Sequence, residues 1–171
     1  MTVSEQIAEY LALKGCTHAF GIVGGANLAL FEAISRRLQM ISVGHEQAAA
    51  MAANYHYRAG GKIAPVVPTN GGGTTNTITG VVEAYMDGIP MLIISGNEQQ
   101  RFIRGNWTRT NGFQGVRTCD IVHSFTKKAV SVDNPLAAKM ALDSLYREAL
   151  TARQGPCWLD VPQDVATALA E

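Results

Sequence analysis

At 171 residues and 47% apolar content, the chain suits one domain, spanning 1–171, with enough apolar material for a real core. Fourteen basic residues balance fourteen acidic ones, which argues against a nucleic-acid partner and a basic membrane-binding patch. No apolar run approaches the ~20 residues of a membrane span, and three scattered cysteines (Cys16, Cys119, Cys157) without a C-x-x-C pair read as reduced thiols of a cytoplasmic protein.

Thr2 and Glu5 form a capping box ahead of a helical stripe of Val3, Ile7, Tyr10, Leu11 and Lys14 that ends at Gly15. The same segment carries Glu5 and Glu9, so it does not resemble a signal peptide. A short buried strand over 18–23 follows, closed by Gly24-Gly25. Next comes a helix over 27–38 with Leu28, Phe31, Ile34, Ser35 and Leu38 on one face. A second strand over 40–43 breaks at Gly44 and hands over to an Ala-rich helix over 46–58. The apolar run 63–69 is a third strand, although Pro65 and Pro68 weigh against a central position. Asn70 and three glycines turn the chain into a helix over 74–87, and 90–95 is the clearest buried strand. The stretch 96–118 loses apolar periodicity and carries Arg101, Arg104, Arg109 and Arg117 with Trp107 and Phe113; such long irregular segments are often functional. Order returns with a short helix near 120–123 and a strand over 126–132. A helix over 135–152 follows, with Leu136, Met140, Leu142, Leu145, Tyr146 and Ala149 at helical spacing, and then a strand over 156–161 stopped by Pro162.

Six apolar strands alternating with helices predict a three-layer α/β/α domain around a six-stranded, mostly parallel sheet. Ligands bind such sheets at the carboxyl ends of the strands. Three loops there have unusual chemistry: Gly24-Gly25, Gly44-His45-Glu46 and 69–73. Neither glycine loop matches a dinucleotide or P-loop fingerprint, and the four histidines lack metal-ligand spacing. Glu46 stands where a strand end meets a helix start. An acidic residue is favoured there by the helix dipole alone, so position by itself does not separate a structural role from a chemical one. The residues thus define a crevice with one carboxylate and several bare backbone segments.

The wording of the loops carries more. Phe20-Gly21-Ile22-Val23-Gly24-Gly25, Gly44-His45-Glu46-Gln47-Ala48-Ala49-Ala50-Met51-Ala52-Ala53 and Thr69-Asn70-Gly71-Gly72-Gly73-Thr74-Thr75-Asn76 occur in this order. Ala84-Tyr85-Met86-Asp87-Gly88-Ile89-Pro90, Phe113-Gln114 and Gly155-Pro156-Cys157-Trp158-Leu159-Asp160-Val161-Pro162 follow them. Over essentially its whole length the chain resembles the N-terminal pyrimidine-binding domain of thiamine-diphosphate enzymes of the acetolactate synthase and 2-oxo acid decarboxylase group.

The resemblance implies that Glu46 hydrogen-bonds the aminopyrimidine of thiamine diphosphate and exchanges a proton with it, preparing the cofactor to attack a 2-oxo acid. It places Ile22, Thr69, Gly72 and Asn76 around the pyrimidine, and Gly25, Phe113 and Gln114 towards the substrate. The family often has Pro where Val23 and Gly72 stand, and the segment around Phe113-Gln114 carries extra residues. No Gly-Asp-Gly motif, which in these enzymes helps bind diphosphate and Mg²⁺, occurs in the sequence. The chain is therefore expected to be one subunit of a split enzyme. A separate diphosphate- and Mg²⁺-binding subunit would complete it, in a heterotetramer or larger hetero-oligomer. The activity implied is decarboxylation of a small, pyruvate-like 2-oxo acid, with or without acyl transfer. The competing expectation is a non-catalytic binding or regulatory module that kept the fold.

Overall fold

The computed structural model describes residues 1–103 and 111–170. Helix α1 (Val3–Leu13) precedes β1 (His18–Gly21), α2 (Leu28–Ser35), β2 (Gln39–Ser42), α3 (Glu46–Gly60) and β3 (Val66–Val67). Two helices, α4 (Gly72–Asn76) and α5 (Ile78–Asp87), lead to β4 (Met91–Asn97) and the short α6 (Gln100–Ile103). Then come α7 (Thr118–Val122), β5 (Lys128–Ser131), α8 (Ala138–Leu150), β6 (Pro156–Pro162) and α9 (Gln163–Thr167). The six strands form one sheet in the order β2-β1-β3-β4-β6-β5, and every pairing is parallel. Among the described residues, no helix is long and apolar enough to cross a membrane.

The strand side chains alternate between two buried layers, as period-two geometry requires. Val67, Leu92, Ile94, Leu159 and Val161 face a core built with α1, α2, α8 and α9. Val66, Ile93, Met91 and Trp158 face a second core against α3, α5 and α7. This is the expected three-layer α/β/α architecture.

Several elements differ from expectation for identifiable reasons. Strand β3 is central despite its prolines, but only two residues long. The carbonyls of Pro65 and Pro68 still accept from Phe20 N–H (2.9 Å) and Gly96 N–H (3.1 Å), so proline costs the ladder its donors alone. Val66 and Val67 are both fully buried. Each such burial is worth about 1.5–3 kcal/mol, which outweighs a missing ladder bond of about 1 kcal/mol. The helix expected over 74–87 is two helices. At Thr77 the backbone N–H reaches Thr74 O rather than one residue further back, and the Thr77 hydroxyl donates to the same carbonyl at 2.6 Å. Strand β1 stops at Gly21 rather than Val23, β4 runs on to Asn97, and Pro162 both ends β6 and opens α9. Leu28, Leu136 and Met140 were expected on buried faces and are 57%, 60% and 77% exposed. The buried stripe of α8 is Ala138, Leu142, Leu145 and Ala149, half a turn away from Met140. Leu136 lies in a 3₁₀ turn ahead of that helix.

Helices α3 and α5 touch at Gly80, where an added Cβ would lie 2.6 Å from Ala50 Cβ and 2.9 Å from Met51 N. Gly80→Ala is expected to destabilise by about 1–3 kcal/mol through overpacking, exceeding the gain in helix propensity of about 1 kcal/mol. Gly60→Ala, which enters open space, should be neutral or mildly stabilising. Urea midpoints at constant slope measure both changes.

At the amino end of β1, the rings of His18 and His56 meet at a tilt of 51°, with centroids 5.0 Å apart, beside Phe20. Burial, helped by the His18 charge, lowers the proton affinity of His56 below its ordinary value of 6.5. The unfolded chain therefore takes up this proton first. Stability is full above pH 6.5 and falls as pH drops from there through the lowered folded value. The thermal midpoint should fall between pH 7 and pH 5, and His56→Gln should flatten that slope.

Candidate functional site

The strand order reverses between β1 and β3: the chain steps from β1 outward to β2 and then returns to β1's other side. That switch point is where an open parallel sheet leaves a crevice at its carboxyl edge. Gly21 is in register with Ser42 on one side and Val67 on the other. The loops that begin at Ile22, Val43 and Pro68 therefore leave the sheet side by side.

The second of these loops starts α3 with His45 as N-cap. Its extended backbone (φ −159°, ψ 142°) lets Nδ1 accept from Gln47 N–H at 3.2 Å, while its carbonyl accepts from Ala48 and Ala49. The helix start is thus capped by the residue before Glu46. Glu46, 9% exposed, directs its carboxylate across to α4, where Oε2 accepts from Asn76 Nδ2 at 3.0 Å. A carboxylate that served only the helix would turn back to its first-turn amides.

The other loops close around it. An added Cβ at Gly73 would sit 2.7 Å from Thr69 Cγ2 and 3.4 Å from Glu46 Oε1, and one at Gly24 would sit 2.7 Å from Thr69 Cβ. Thr69 is thus wedged between the two glycine loops, with its carbonyl accepting from Thr74 Oγ1 at 3.0 Å. Asn27, fully buried, ties the loop after β1: Oδ1 accepts from Gly24 N–H at 2.7 Å, and Nδ2 donates to Ile22 O and Val67 O. Ile22 is half-buried one residue past β1. Gly72, exposed, opens α4. Gly25, also exposed, accepts from Gln163 Nε2 at 3.0 Å, towards α9.

Of the residues assigned to the substrate side, Gln114 is anchored and Phe113 is 90% exposed. Gln114 Nε2 donates to Asn70 Oδ1 at 2.7 Å, and its backbone N–H donates to Glu98 Oε1 at 3.2 Å. Arg104, Trp107 and Arg109 lie outside the described residues. Beneath this edge a polar layer joins β4 to β6. Asp160, fully buried, accepts from Ser95 Oγ (2.6 Å) and Asn97 Nδ2 (2.7 Å), and Trp158 Nε1 donates to Ser95 Oγ. Burial pushes the Asp160 carboxyl above the usual range, and hydrogen bonds from Ser95, Asn97, Thr118 and Ser131 offset part of that rise.

Glu46, Asn76, Thr69 and the Gly73 backbone thus form one cluster, with Ile22 and Gly25 on the adjoining loop and Gln114 attached through Asn70. Sequence reasoning missed His45, Asn27, Asn70 and Glu98. For His45 a signal existed, since it immediately precedes a helix, where side-chain acceptors cap. Asn27 makes no such cap, and its bonds to Gly24, Ile22 and Val67 left no such signal. The Asn70–Glu98–Gln114 contact spans 44 residues and left none. A separate cavity of about 540 Å³ lies at the opposite, amino edge of the sheet, bounded by Tyr85, Phe125, Lys127 and Arg153. Its two cations already donate to backbone carbonyls of Thr151 and Met86 (both 2.7 Å), so the chemistry concentrates in the crevice.

Residues 1–122 match the family model for the thiamine pyrophosphate enzyme N-terminal TPP binding domain. The acetolactate synthase large subunit of Buchnera aphidicola subsp. Schizaphis graminum is 36% identical over 172 residues, covering 95% of this chain and 28% of that protein. The Haemophilus influenzae large subunit is 36% identical over 163 residues (94% and 28%), and the Escherichia coli isozyme 1 large subunit 33% over 172 (99% and 30%). The chain therefore spans somewhat under a third of the length of these relatives. With more than half of its residues matched by the family model, the chain belongs to the thiamine pyrophosphate enzymes, as their N-terminal TPP-binding domain.

Proposed function

We propose that this chain is the pyrimidine-binding subunit of a split thiamine-diphosphate-dependent enzyme that decarboxylates a small, pyruvate-like 2-oxo acid, with or without acyl transfer as in acetolactate synthase. The observation that carries the proposal is a buried carboxylate at the switch point, released from capping by His45 and oriented by Asn76.

The crevice suits a flat heteroaromatic ring. Gly25, Gly44 and Gly72 each have open space where a side chain would stand, so a ring can approach bare backbone on several sides. Glu46, Ile22, Thr69, Gly72 and Asn76 would hold it; Gly25, Phe113 and Gln114 would face the substrate. When bound, thiamine diphosphate supplies the electron sink for loss of carbon dioxide. The chain's own part is to orient the ring and to hold or release a proton at Glu46 Oε1, the oxygen nearest Gly73, while Asn76 fixes Oε2. Diphosphate and Mg²⁺ are assigned to protein beyond these residues, in a separate subunit of a heterotetramer or larger assembly. We place the activity in the cytoplasm. The three cysteines, all free, support this, since unpaired thiols suit a reducing compartment.

In the assembled enzyme, Glu46→Gln should lower turnover by about 10²–10⁴-fold, the usual range for a lost acid–base group, with circular dichroism overlaying the parent. Gln can still accept from Asn76, so a loss confined to a few-fold would reduce Glu46 to a structural role and sink the proposal. Calorimetry of the chain alone with thiamine diphosphate and Mg²⁺ should show weak binding and no turnover. Tight binding by the chain alone would contradict the split arrangement.

A further inference from the structure

Where the loops after β3 and β4 pass each other, three side chains close a ring. Glu98 is the first residue beyond β4, and its N–H donates to Asn97 Oδ1 at 2.9 Å. Its Oε1 accepts from Asn70 Nδ2 at 2.9 Å and from Gln114 N–H at 3.2 Å. Gln114 Nε2 returns to Asn70 Oδ1 at 2.7 Å. The turn over 111–115, closed by Gly115 N–H on Asn111 O at 2.9 Å, is wrapped on this carboxylate. An added Cβ would lie 2.9 Å from Glu98 Cδ at Gly112 and 2.7 Å from Glu98 Cγ at Gly115. At Gly71, one would lie 2.4 Å from Gln114 O. No larger residue fits at these three positions without moving the ring.

We propose that Glu98 is the positioning residue of the substrate side of the crevice. It fixes Gln114 and, through Asn70, the loop carrying Thr69 and Gly72 as one unit. Only the word substrate rests on the function proposed above; the positioning itself does not. Among the described residues both bonds land on a single oxygen, so an amide carbonyl can accept the same two donors. Without that acceptor, the Nδ2 of Asn70, a residue 1% exposed, is left unpaired in a buried setting, and the turn loses its centre.

The test compares Glu98→Gln, which keeps the acceptor, with Glu98→Met, which keeps length and packing but not the acceptor. Backbone amide exchange is followed by NMR on the full chain. In Glu98→Met, exchange at Gln114 and Gly115 should accelerate at least about tenfold and the Asn70 side-chain amide resonances should move. Ile93 and Leu159 in the sheet should stay as in the parent. Glu98→Gln should remain within about twofold of the parent everywhere. Unchanged exchange at Gln114 in Glu98→Met would overturn the proposal. So would equal acceleration in the sheet, or a Glu98→Gln chain that behaves like Glu98→Met. Glu46→Gln turnover reads the function separately: if that loss fails to appear while the Glu98 pattern holds, the function is wrong and the positioning stands.

Discussion

A carboxylate placed in the first turn of a helix has four unsatisfied N–H groups within reach and a favourable dipole, and would ordinarily be drawn to them. His45 prevents this by taking the first-turn amide itself through Nδ1. Glu46 is then 9% exposed, and a charge so placed is costly without a partner. Asn76 Nδ2 meets part of that demand from the next helix along the crevice. The other face of the carboxylate lies against Gly73, where no side chain intrudes. Capping by one residue and orientation by another thus leave the carboxylate available to a ligand.

Close approach supplies the rest of the geometry. The two glycine loops meet on Thr69, and the loop after β1 is held by Asn27 through three hydrogen bonds, two of them to backbone carbonyls of β1's exit and of β3. A fully buried Asn satisfied in this way rigidifies irregular backbone that no ladder can hold. The break at Thr77 serves the same end. It ends α4 at Asn76, beside Glu46, and starts α5, which packs on the Ala-rich face of α3.

Much of this fold was legible because buried parallel strands are near-continuous apolar runs, and runs such as Met91 to Ile94 admit few other structures. What misled was phase. In α2 the buried residues are Leu30, Ala33 and Ile34, so a stripe begun at Leu28 starts two residues, or about 200°, off the core face. Ile34, Leu142, Leu145 and Ala149 were expected on the buried faces and lie there, whereas Ala33 and Ala138 were missed because they carry no apolar signal as strong as an exposed Leu or Met. Glu46 and Asn76 could be named from motif order, but their hydrogen bond is a tertiary fact. Glu98 was invisible: an acidic residue in a polar stretch has no periodicity, and its partners lie 28 and 16 residues away.

The crevice also depends on what lies beneath it. Asp160 sits inside the sheet among donors from Ser95, Asn97, Thr118 and Ser131, and Trp158 is tied to the same hydroxyl of Ser95. Such a layer is stabilising only while every member is satisfied, because each unpaired group there would cost about 1–3 kcal/mol. Asn97 belongs to this layer through Nδ2 and to the next through Oδ1, which receives Glu98 N–H. The end of β4 is therefore set by the interior of the sheet, and Glu98 inherits its place from it. A substitution at Asp160 would reach the crevice by moving the strand end on which Glu98, Asn70 and Gln114 are assembled, without touching any residue that lines it.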